Sequence, residues 1–262
     1  MRLLEDKIIF LTGGSMGIGQ ECAKKYVEAG ARVIIISNDA GSITKALGIL
    51  GQTCMGIHCD VSNPDDVETA IRQTLDKYGR IDAIHNNAGI AHPSKPLHET
   101  DQMEWDALFN VNLKSIYYTT RYGLDALIRS GGCILNTSSL VGEIGQDNHA
   151  AYAATKGAIN ALTKSMALDY APYKIRVNAV APAGVWTEML REWGQAQEHP
   201  GDIEEYLDGI HALGYCPEGD VVADACVFLL SDKARFITGT VLPVSGGAEL
   251  GYRSSKRRKA IL

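Results

Sequence analysis

Short apolar segments recur along the chain and alternate with segments of helical character. They lie at residues 8–11, 33–36, 54–59, 82–85, 133–136, 176–180 and 240–244. Strands that are apolar on both faces and alternate with helices are typical of a parallel sheet with helices on both sides. No linker-like stretch interrupts the alternation. The pattern therefore predicts a single-domain α/β fold, with a doubly wound parallel sheet.

A glycine-rich turn follows the first apolar segment and precedes the first helical one. Its spacing is GxxxGxG rather than GxGxxG. Glycine permits a tight turn and lets backbone N–H groups approach a pyrophosphate at the start of a helix. The turn therefore predicts a nucleotide site. Its candidate contact residues are Gly13, Met16, Gly17, Ile18 and Gly19.

Further candidate nucleotide contacts follow the third and fourth apolar segments. Asp60 and Val61 come after the third, and Asn87 and Gly89 belong to an NNAG run after the fourth. Since parallel strands bring their carboxyl ends to one edge of a sheet, we expect these residues beside the glycine turn. The carboxylate of Asp60 is a candidate acceptor for an adenine amino group.

The end of the second apolar segment bears on the choice of cofactor. An acid that binds the ribose hydroxyls is expected there, and Ser37, Asn38 and Asp39 occupy the place. Asn38 and Asp39 are the candidate contacts. A 2′-phosphate would favour arginine or lysine, and this loop has neither. The sequence favours NAD, and NADP remains open.

Four polar residues form a candidate reacting group. Tyr152 and Lys156 are four residues apart in a segment of helical character, so they share one face. Tyrosine has a pKa of about 10 in water. A neighbouring lysine cation favours the phenolate and lowers that pKa, which would let the pair exchange a proton with an alcohol or carbonyl. Ser139 is a candidate to hold the substrate oxygen. Asn112 either binds a water that relays protons or packs two helices together.

Composition excludes several other classes. The formal net charge is −6, from 31 acidic and 25 basic residues, which argues against a general nucleic-acid binder. No apolar run approaches the roughly 18 residues of a membrane span. The six cysteines form no CxxC pair and the seven histidines show no ligand spacing, so we predict no metal site. With no targeting segment at the start, we expect a cytoplasmic protein with a small-molecule substrate.

Two segments depart from the alternation. Residues 183–215 lack a strand where a further βα unit would begin, and they are expected to form an insertion over the carboxyl edge of the sheet. Residues 254–262 carry four consecutive basic residues and are expected to form a flexible tail. The predicted domain therefore spans residues 1–253.

Taken together and in their order, these motifs resemble the short-chain dehydrogenase/reductase family from Thr12 to Gly247. The resemblance implies a Rossmann-type fold, usually in a homotetramer, and hydride transfer between a nicotinamide and an alcohol or carbonyl. It implies that Tyr152 is the general acid/base, that Lys156 lowers its pKa and binds the nicotinamide ribose, and that Ser139 orients the substrate. Asn112 would anchor a relay water. Further cofactor contacts implied by the family are Val185 and Thr187.

Two departures from the family weaken its cofactor contacts. Ala183 stands where the family has glycine, in the segment that carries the implied contacts of Val185 and Thr187. Ser37 stands where NAD-dependent members carry their acid.

Three segments, at residues 139–146, 185–187 and 246–252, resemble a narrower group. It contains L-fucose dehydrogenases and 17-beta-hydroxysteroid dehydrogenases of type 14, so it implies a sugar or a steroid-like alcohol. We favour the sugar because hydroxyls need hydrogen-bond partners. The candidate substrate residues are Ser139, Gln146, His149, Tyr152 and Trp186.

Three functions remain open at this stage. The first is an NAD(P)-dependent dehydrogenase of a small sugar such as L-fucose. The second is a hydroxysteroid or 3-oxoacyl dehydrogenase/reductase. The third is a regulator that binds NADH without chemistry, and the presence of Tyr152 with Lys156 argues against it.

Overall fold

The computed structural model describes residues 2–195 and 200–251 and contains one parallel sheet of seven strands in these residues. The strands are β1 (Ile8–Thr12), β2 (Arg32–Ser37), β3 (Cys54–His58), β4 (Ala83–Asn86), β5 (Cys133–Thr137), β6 (Arg176–Pro182) and β7 (Val241–Val244). Their order is β3-β2-β1-β4-β5-β6-β7, and each neighbouring pair is parallel. The predicted doubly wound α/β fold is confirmed. The predicted tail, residues 254–262, lies outside the described residues.

Helices connect these strands. They are α1 (Gly17–Glu28), α2 (Ala40–Leu50), α3 (Pro64–Tyr78), α4 (Gln102–Phe109), α5 (Ser115–Ser130), α6 (Ala150–Tyr170), α7 (Glu188–Gln195), α8 (Ile203–Ile210) and α9 (Asp220–Leu230). A π-helical turn, Asn110–Lys114, joins α4 to α5. None of the helices in the described ranges has the length and apolar character needed to cross a membrane.

Each face of the sheet has its own hydrophobic core. Ile9 and Leu11 of β1 belong to the core under α1, α2 and α9, whereas Ile8 and Phe10 belong to the core under α3, α5 and α6. Successive strand residues point to opposite faces, so a strand with helices on both sides is apolar at every position. This explains the continuous apolar runs of the sequence.

Local sequence features set both ends of α3. The side chain of Asn63 accepts a hydrogen bond from the backbone N–H of Asp65 (3.0 Å), and Pro64 occupies the first helical position. Gly79 ends the helix with φ of 72°, in the left-handed region that glycine adopts without strain. The turn between β3 and α3, which contains Asp60, lies at the carboxyl edge of the sheet.

A buried polar chain links the α1 side of the sheet to its carboxyl edge. Asn87 Nδ2 donates to the carbonyl oxygens of Thr12 and Gly13, so its Oδ1 faces Thr137 Oγ1, which donates to it (3.2 Å). Because that hydroxyl has one proton, His85 Nε2–H must donate to Thr137 Oγ1 (2.9 Å). His85 Nδ1 therefore accepts from the hydroxyl of Tyr26 (2.9 Å).

Two thiols adjoin this chain in the core. Cys22 and Cys226, from α1 and α9, place their sulfur atoms within 4.8 Å of a ring nitrogen of His85 and of each other. Neighbouring groups lower the pKa of Cys22 to about 6 despite its burial. Both ring nitrogens of His85 already have hydrogen-bond partners, so we assign the cluster to core packing.

The Tyr26 hydroxyl provides a test of this chain. Replacing Tyr26 with Phe leaves the buried Nδ1 of His85 without its donor, and an unsatisfied buried acceptor costs about 1–3 kcal/mol. We expect Tyr26→Phe to lower the free energy of unfolding by that amount in urea denaturation. Tyr173→Phe, at a half-exposed position, is the control and should change it by less than about 0.5 kcal/mol. Equal stability of the two variants would contradict the assigned chain.

Candidate active site

Two adjoining cavities open at the carboxyl edge of the sheet, where the strand order reverses between β1 and β4. The first has a volume of about 430 Å³ and the second about 460 Å³. They share a wall that includes Ser139 and Tyr152. A ligand in one cavity would therefore meet a ligand in the other beside these two side chains.

Most of the predicted nucleotide contacts line the first cavity. They are Gly13, Met16, Gly17, Ile18, Gly19, Asn38, Asp60, Val61, Asn87, Gly89, Tyr152, Lys156 and Thr187. The glycine turn is tight enough to require glycine. Gly17 has φ of 53°, and a Cβ on Gly19 would lie 2.0 Å from the carbonyl oxygen of Gly13.

Three predicted contacts lie elsewhere. Asp39 does not line either cavity, because its carboxylate caps α2 by accepting from the backbone N–H of Gly41 (2.8 Å). Val185 lines the second cavity rather than the first. Trp186 lines neither, and its ring lies under the guanidinium of Arg191, 4.9 Å from ring centroid to Cζ.

Hydrogen bonds between the first and fourth strand ends shape the glycine turn. Thr12 Oγ1 accepts from the backbone N–H groups of Asn87 and Ala88, at 3.0 Å each. Asn87 returns the contact by donating to the carbonyl oxygens of Thr12 and Gly13, at 3.2 Å each. The NNAG run therefore holds the glycine turn in place as well as lining the cavity.

A carboxylate from α7 occupies the start of α1. The backbone N–H of Gly17 donates to Glu188 Oε2 at 3.1 Å, and both residues line the first cavity. A helix N-terminus attracts anions because its first N–H groups lack partners within the helix. The contact shows that an anionic group fits against the glycine turn.

Lys156 is a buried residue that lines the first cavity together with Ser139 and Tyr152. Its Nζ donates to the carbonyl oxygen of Thr137 (2.9 Å) and lies 5.5 Å from the centroid of the Tyr152 ring. Both residues project from α6, and their separation of four places them on one face, as expected. Burial disfavours the ammonium and lowers the pKa of Lys156 to about 8.

The pKa of Tyr152 differs in direction from the sequence expectation. Burial disfavours the phenolate and raises the pKa of Tyr152, and a hydrogen bond from Ser139 offsets part of this rise. The sequence predicted that Lys156 would lower the pKa of Tyr152, whereas in this structure the pKa of Tyr152 is raised. Desolvation by the cavity wall has the largest effect on the pKa of Tyr152.

Asn112 joins two parts of the site. Its Oδ1 accepts from the backbone N–H of Ile90 (2.8 Å), while its Nδ2 donates to the carbonyl oxygen of Ile90 (2.9 Å) and to Thr155 Oγ1 (3.2 Å). The side chain therefore ties the loop after β4 to α6. A Cβ built on Gly89 would lie 3.3 Å from Asn112 Oδ1 and 3.6 Å from Lys156 Nζ, so these two polar atoms face a common space.

The second cavity brings together the predicted substrate residues Gln146 and His149 with Ser139 and Tyr152. Residues 183–215, which were predicted to lie over the carboxyl edge of the sheet, contain α7 and α8, and both helices line the second cavity. Apolar side chains form much of the remaining wall, among them Leu140, Ile144, Leu190, Trp193, Leu207 and Ile210.

Sequence reasoning missed several residues of the site. Ser94 lines the second cavity without belonging to any motif. Thr137 holds Lys156 through its backbone carbonyl and His85 through its hydroxyl. Its place at the end of the fifth strand, two residues before Ser139, was the one signal that could have indicated it.

Comparison with known proteins supports an enzyme site. The profile of the family described as enoyl-(acyl carrier protein) reductase matches residues 13–249. L-fucose dehydrogenase of Bos taurus is 39% identical over 94% of this chain and 90% of its own length.

Solved structures agree in fold. The aldohexose dehydrogenase of Thermoplasma acidophilum, in ligand-free form, has a TM-score of 0.88 and 34% identity, covering 97% of this chain and 98% of its own. The 3-ketoacyl-(acyl-carrier-protein) reductase of Brucella melitensis, complexed with NADH, has a TM-score of 0.86 and 31% identity, covering 94% and 99%.

Replacing Lys156 with methionine tests the energetic cost of burying its ammonium group. We expect Lys156→Met to be at least as stable as the native chain at pH 7, by up to about 3 kcal/mol, because no ammonium has to be desolvated. Lysine binds a proton more weakly in the folded chain than in the unfolded one, so the native chain gains stability as pH rises from about 8 to 10.5. The advantage of the variant should therefore shrink over that range.

Urea unfolding at pH 7 and at pH 10 measures this difference. Lys164→Met, at an exposed position of the same helix, is the matched control and should show no such pH dependence. A Lys156→Met variant that is markedly less stable at pH 7 would contradict the assigned cost of burying the charge.

Proposed function

Because the chain belongs to the short-chain dehydrogenase/reductase family and is an NAD(P)-dependent oxidoreductase, we propose that it oxidises L-fucose or a similar small sugar at its anomeric carbon. The observation that carries this proposal is the position of Tyr152 between two cavities. One cavity fits a dinucleotide, and the other presents hydrogen-bonding side chains, including Gln146 and His149, beside Tyr152. The likeness to L-fucose dehydrogenase supports the choice of sugar.

The first cavity fits a nicotinamide dinucleotide. The glycine turn leaves no room for side chains, and the N–H of Gly17 already holds a carboxylate where a pyrophosphate would lie. We propose that Asp60 and Val61 contact the adenine, that Asn87 and Gly89 flank the central part, and that Lys156 binds the nicotinamide ribose. Thr187 lines the same cavity and is a further contact.

We propose NAD as the preferred cofactor. Lys156 is the cation of the first cavity, among the described residues that line it, and it lies at the opposite end from Ser37 and Asn38. A 2′-phosphate at that end would meet no positive side chain of the lining. Ser37 is itself engaged, since its hydroxyl accepts from the backbone N–H of Asp39 (3.2 Å).

The roles of the reacting residues follow from their positions. Nicotinamide supplies the hydride acceptor when it is bound. Ser139 holds the substrate oxygen, and Tyr152 removes the hydroxyl proton as the carbon–hydrogen bond breaks. With a pKa of about 8, Lys156 is mainly charged at neutral pH, and its charge favours the phenolate of Tyr152. Asn112 and Lys156 face a common space, in which a water would return the proton to solvent.

A second candidate function rests on the apolar wall of the second cavity. Leu190, Leu207 and Ile210 would cover the ring system of a hydroxysteroid or the chain of a 3-oxoacyl group. We rank this function below the sugar because polar side chains lie beside Tyr152. We do not retain the non-catalytic regulator, since the chain belongs to a family of enzymes and carries Ser139, Tyr152 and Lys156.

We further propose a homotetramer in the cytoplasm. Met103, Tyr117 and Leu168, on α4, α5 and α6, expose large apolar surfaces that subunit contacts would cover. All six cysteines are unpaired and buried, which fits a reducing compartment.

Nicotinamide reduction with L-fucose tests the proposal directly. We expect turnover with L-fucose and a higher kcat/KM with NAD than with NADP. Tyr152→Phe should lower kcat by roughly 10²–10⁴-fold, the usual contribution of acid–base catalysis, while NAD binding stays within about twofold.

Tyr173→Phe is the control for that substitution, and it should leave turnover unchanged because Tyr173 is half-exposed beyond the end of α6. Absence of L-fucose turnover, alongside turnover of hydroxysteroids or 3-oxoacyl substrates, would favour the second candidate. Full turnover by Tyr152→Phe would contradict the mechanism.

The Glu188 carboxylate should compete with the cofactor pyrophosphate. We expect Glu188→Gln to tighten ADP-ribose binding several-fold, because an uncharged amide leaves the N–H of Gly17 more readily and does not repel phosphate. Adenosine, which lacks phosphate, should bind both proteins equally. Isothermal titration measures both affinities. Glu192→Gln, exposed on the same helix, is the control, and an unchanged ADP-ribose affinity in Glu188→Gln would refute the competition.

A further inference from the structure

Ser94 and His149 are two of the polar side chains of the second cavity. They come from the loops after β4 and after β5, and both line the cavity, as Tyr152 does. The side chains that α7 and α8 contribute are mostly apolar. Ser94 and His149 are therefore candidates for directional contacts with a substrate.

Two hydrogen bonds determine the tautomer of the neutral His149 ring. Nδ1 lies 2.7 Å from the carbonyl oxygen of Asp147, and a carbonyl only accepts, so Nδ1 carries the proton. In the neutral ring, Nε2 then carries a lone pair. Ser94 Oγ lies 3.0 Å from Nε2 and donates to it. The cavity therefore contains a nitrogen acceptor whose present partner is a small hydroxyl.

This acceptor lies beside the reacting residue. The His149 ring meets the Tyr152 ring edge-on, with centroids 6.3 Å apart and planes at 74°. His149 immediately precedes α6, which carries Tyr152 one turn later. A substrate whose reacting hydroxyl contacts Tyr152 would thus bring its neighbouring atoms towards Nε2.

We propose that Nε2 of His149 accepts a hydrogen bond from a second hydroxyl of the substrate, on the carbon next to the one oxidised. Ser94 holds this acceptor until the substrate hydroxyl replaces it. The substrate class is then a vicinal polyol, such as a ring-form sugar or a cyclic 1,2-diol, rather than an isolated secondary alcohol. This inference rests on the proposed function, because it assigns specificity within the same site.

The arrangement predicts a moderate selectivity. A site built to bind a hydroxyl discriminates strongly against analogues that leave a buried group unpaired. Here Ser94 can pair with Nε2 again when the second hydroxyl is missing. We therefore expect the native enzyme to prefer the hydroxylated substrate by about 10- to 100-fold in kcat/KM.

Two matched substrate pairs test the assignment. L-fucose is compared with 2-deoxy-L-fucose, which lacks the hydroxyl next to the anomeric carbon, and trans-1,2-cyclohexanediol is compared with cyclohexanol. His149→Phe keeps the ring and its contact with Tyr152 but removes both nitrogens. It should lower kcat/KM for the hydroxylated member about tenfold, through KM more than kcat, and leave the other member within about twofold.

Ser94→Ala separates a specificity role from a structural one. If Nε2 binds the substrate, removing its resting partner leaves kcat/KM for the hydroxylated member unchanged or higher. If the pair only holds two loops together, Ser94→Ala and His149→Phe lower both members of a pair equally, which would overturn the proposal. His98→Phe, on the exposed surface, is the control for the substitution itself.

The outcomes distinguish this inference from the proposed function. Turnover of either pair by the native enzyme, with a preference that His149→Phe reduces about tenfold, supports the inference. Turnover with the same preference in both proteins overturns it and leaves the sugar or alcohol dehydrogenase intact. Failure of the native enzyme with all four substrates overturns the proposed function and this inference with it.

Discussion

Hydrogen bonds between Thr12 and Asn87 hold together the two loops on which the whole site depends. The strand order reverses between β1 and β4, so the chains leaving these strands turn to opposite faces and leave a crevice between them. Without a link across the reversal, the glycine turn and the NNAG run would be independent surface loops. The mutual hydrogen bonds of Thr12 and Asn87 join the glycine turn and the NNAG run into one surface that lines the first cavity. Behind it, the chain through Thr137 and His85 to Tyr26 extends the same network into the core.

In the candidate active site, the burial of Lys156 and Tyr152 opposes their ionisation. Burial holds Lys156 against the end of β5, but it also lowers the pKa of Lys156 to about 8 and raises that of Tyr152. A more exposed lysine would keep its charge at less cost, but it would have no fixed position beside the phenol. These pKa directions are those of a site in which a fixed position of the lysine is favoured over its ionisation.

Two cavities with a shared wall account for both halves of the proposed reaction. The first is formed by glycine and strand-end residues, whose spacing is set by backbone geometry. The second is formed by side chains of α7, α8 and the loops before α6, which belong to segments with little periodicity. The proposed specificity therefore depends on the part of the chain that the sheet constrains least, as is common where loops sit on a rigid scaffold.

Local sequence patterns determined the strands, the helix caps at Asn63 and Gly79, and the face shared by Tyr152 and Lys156, because each depends on residues close in sequence. The parallel arrangement also predicted that Asp60 and Asn87 would meet the glycine turn. Tertiary structure alone decided that Asp39 caps α2, that Trp186 packs against Arg191, and that Glu188 and Ser94 enter the cavities. It also decided the direction of the Tyr152 pKa, which follows from desolvation by distant segments. Contacts and burial between segments far apart in sequence depend on packing in three dimensions, and no spacing in the sequence encodes them.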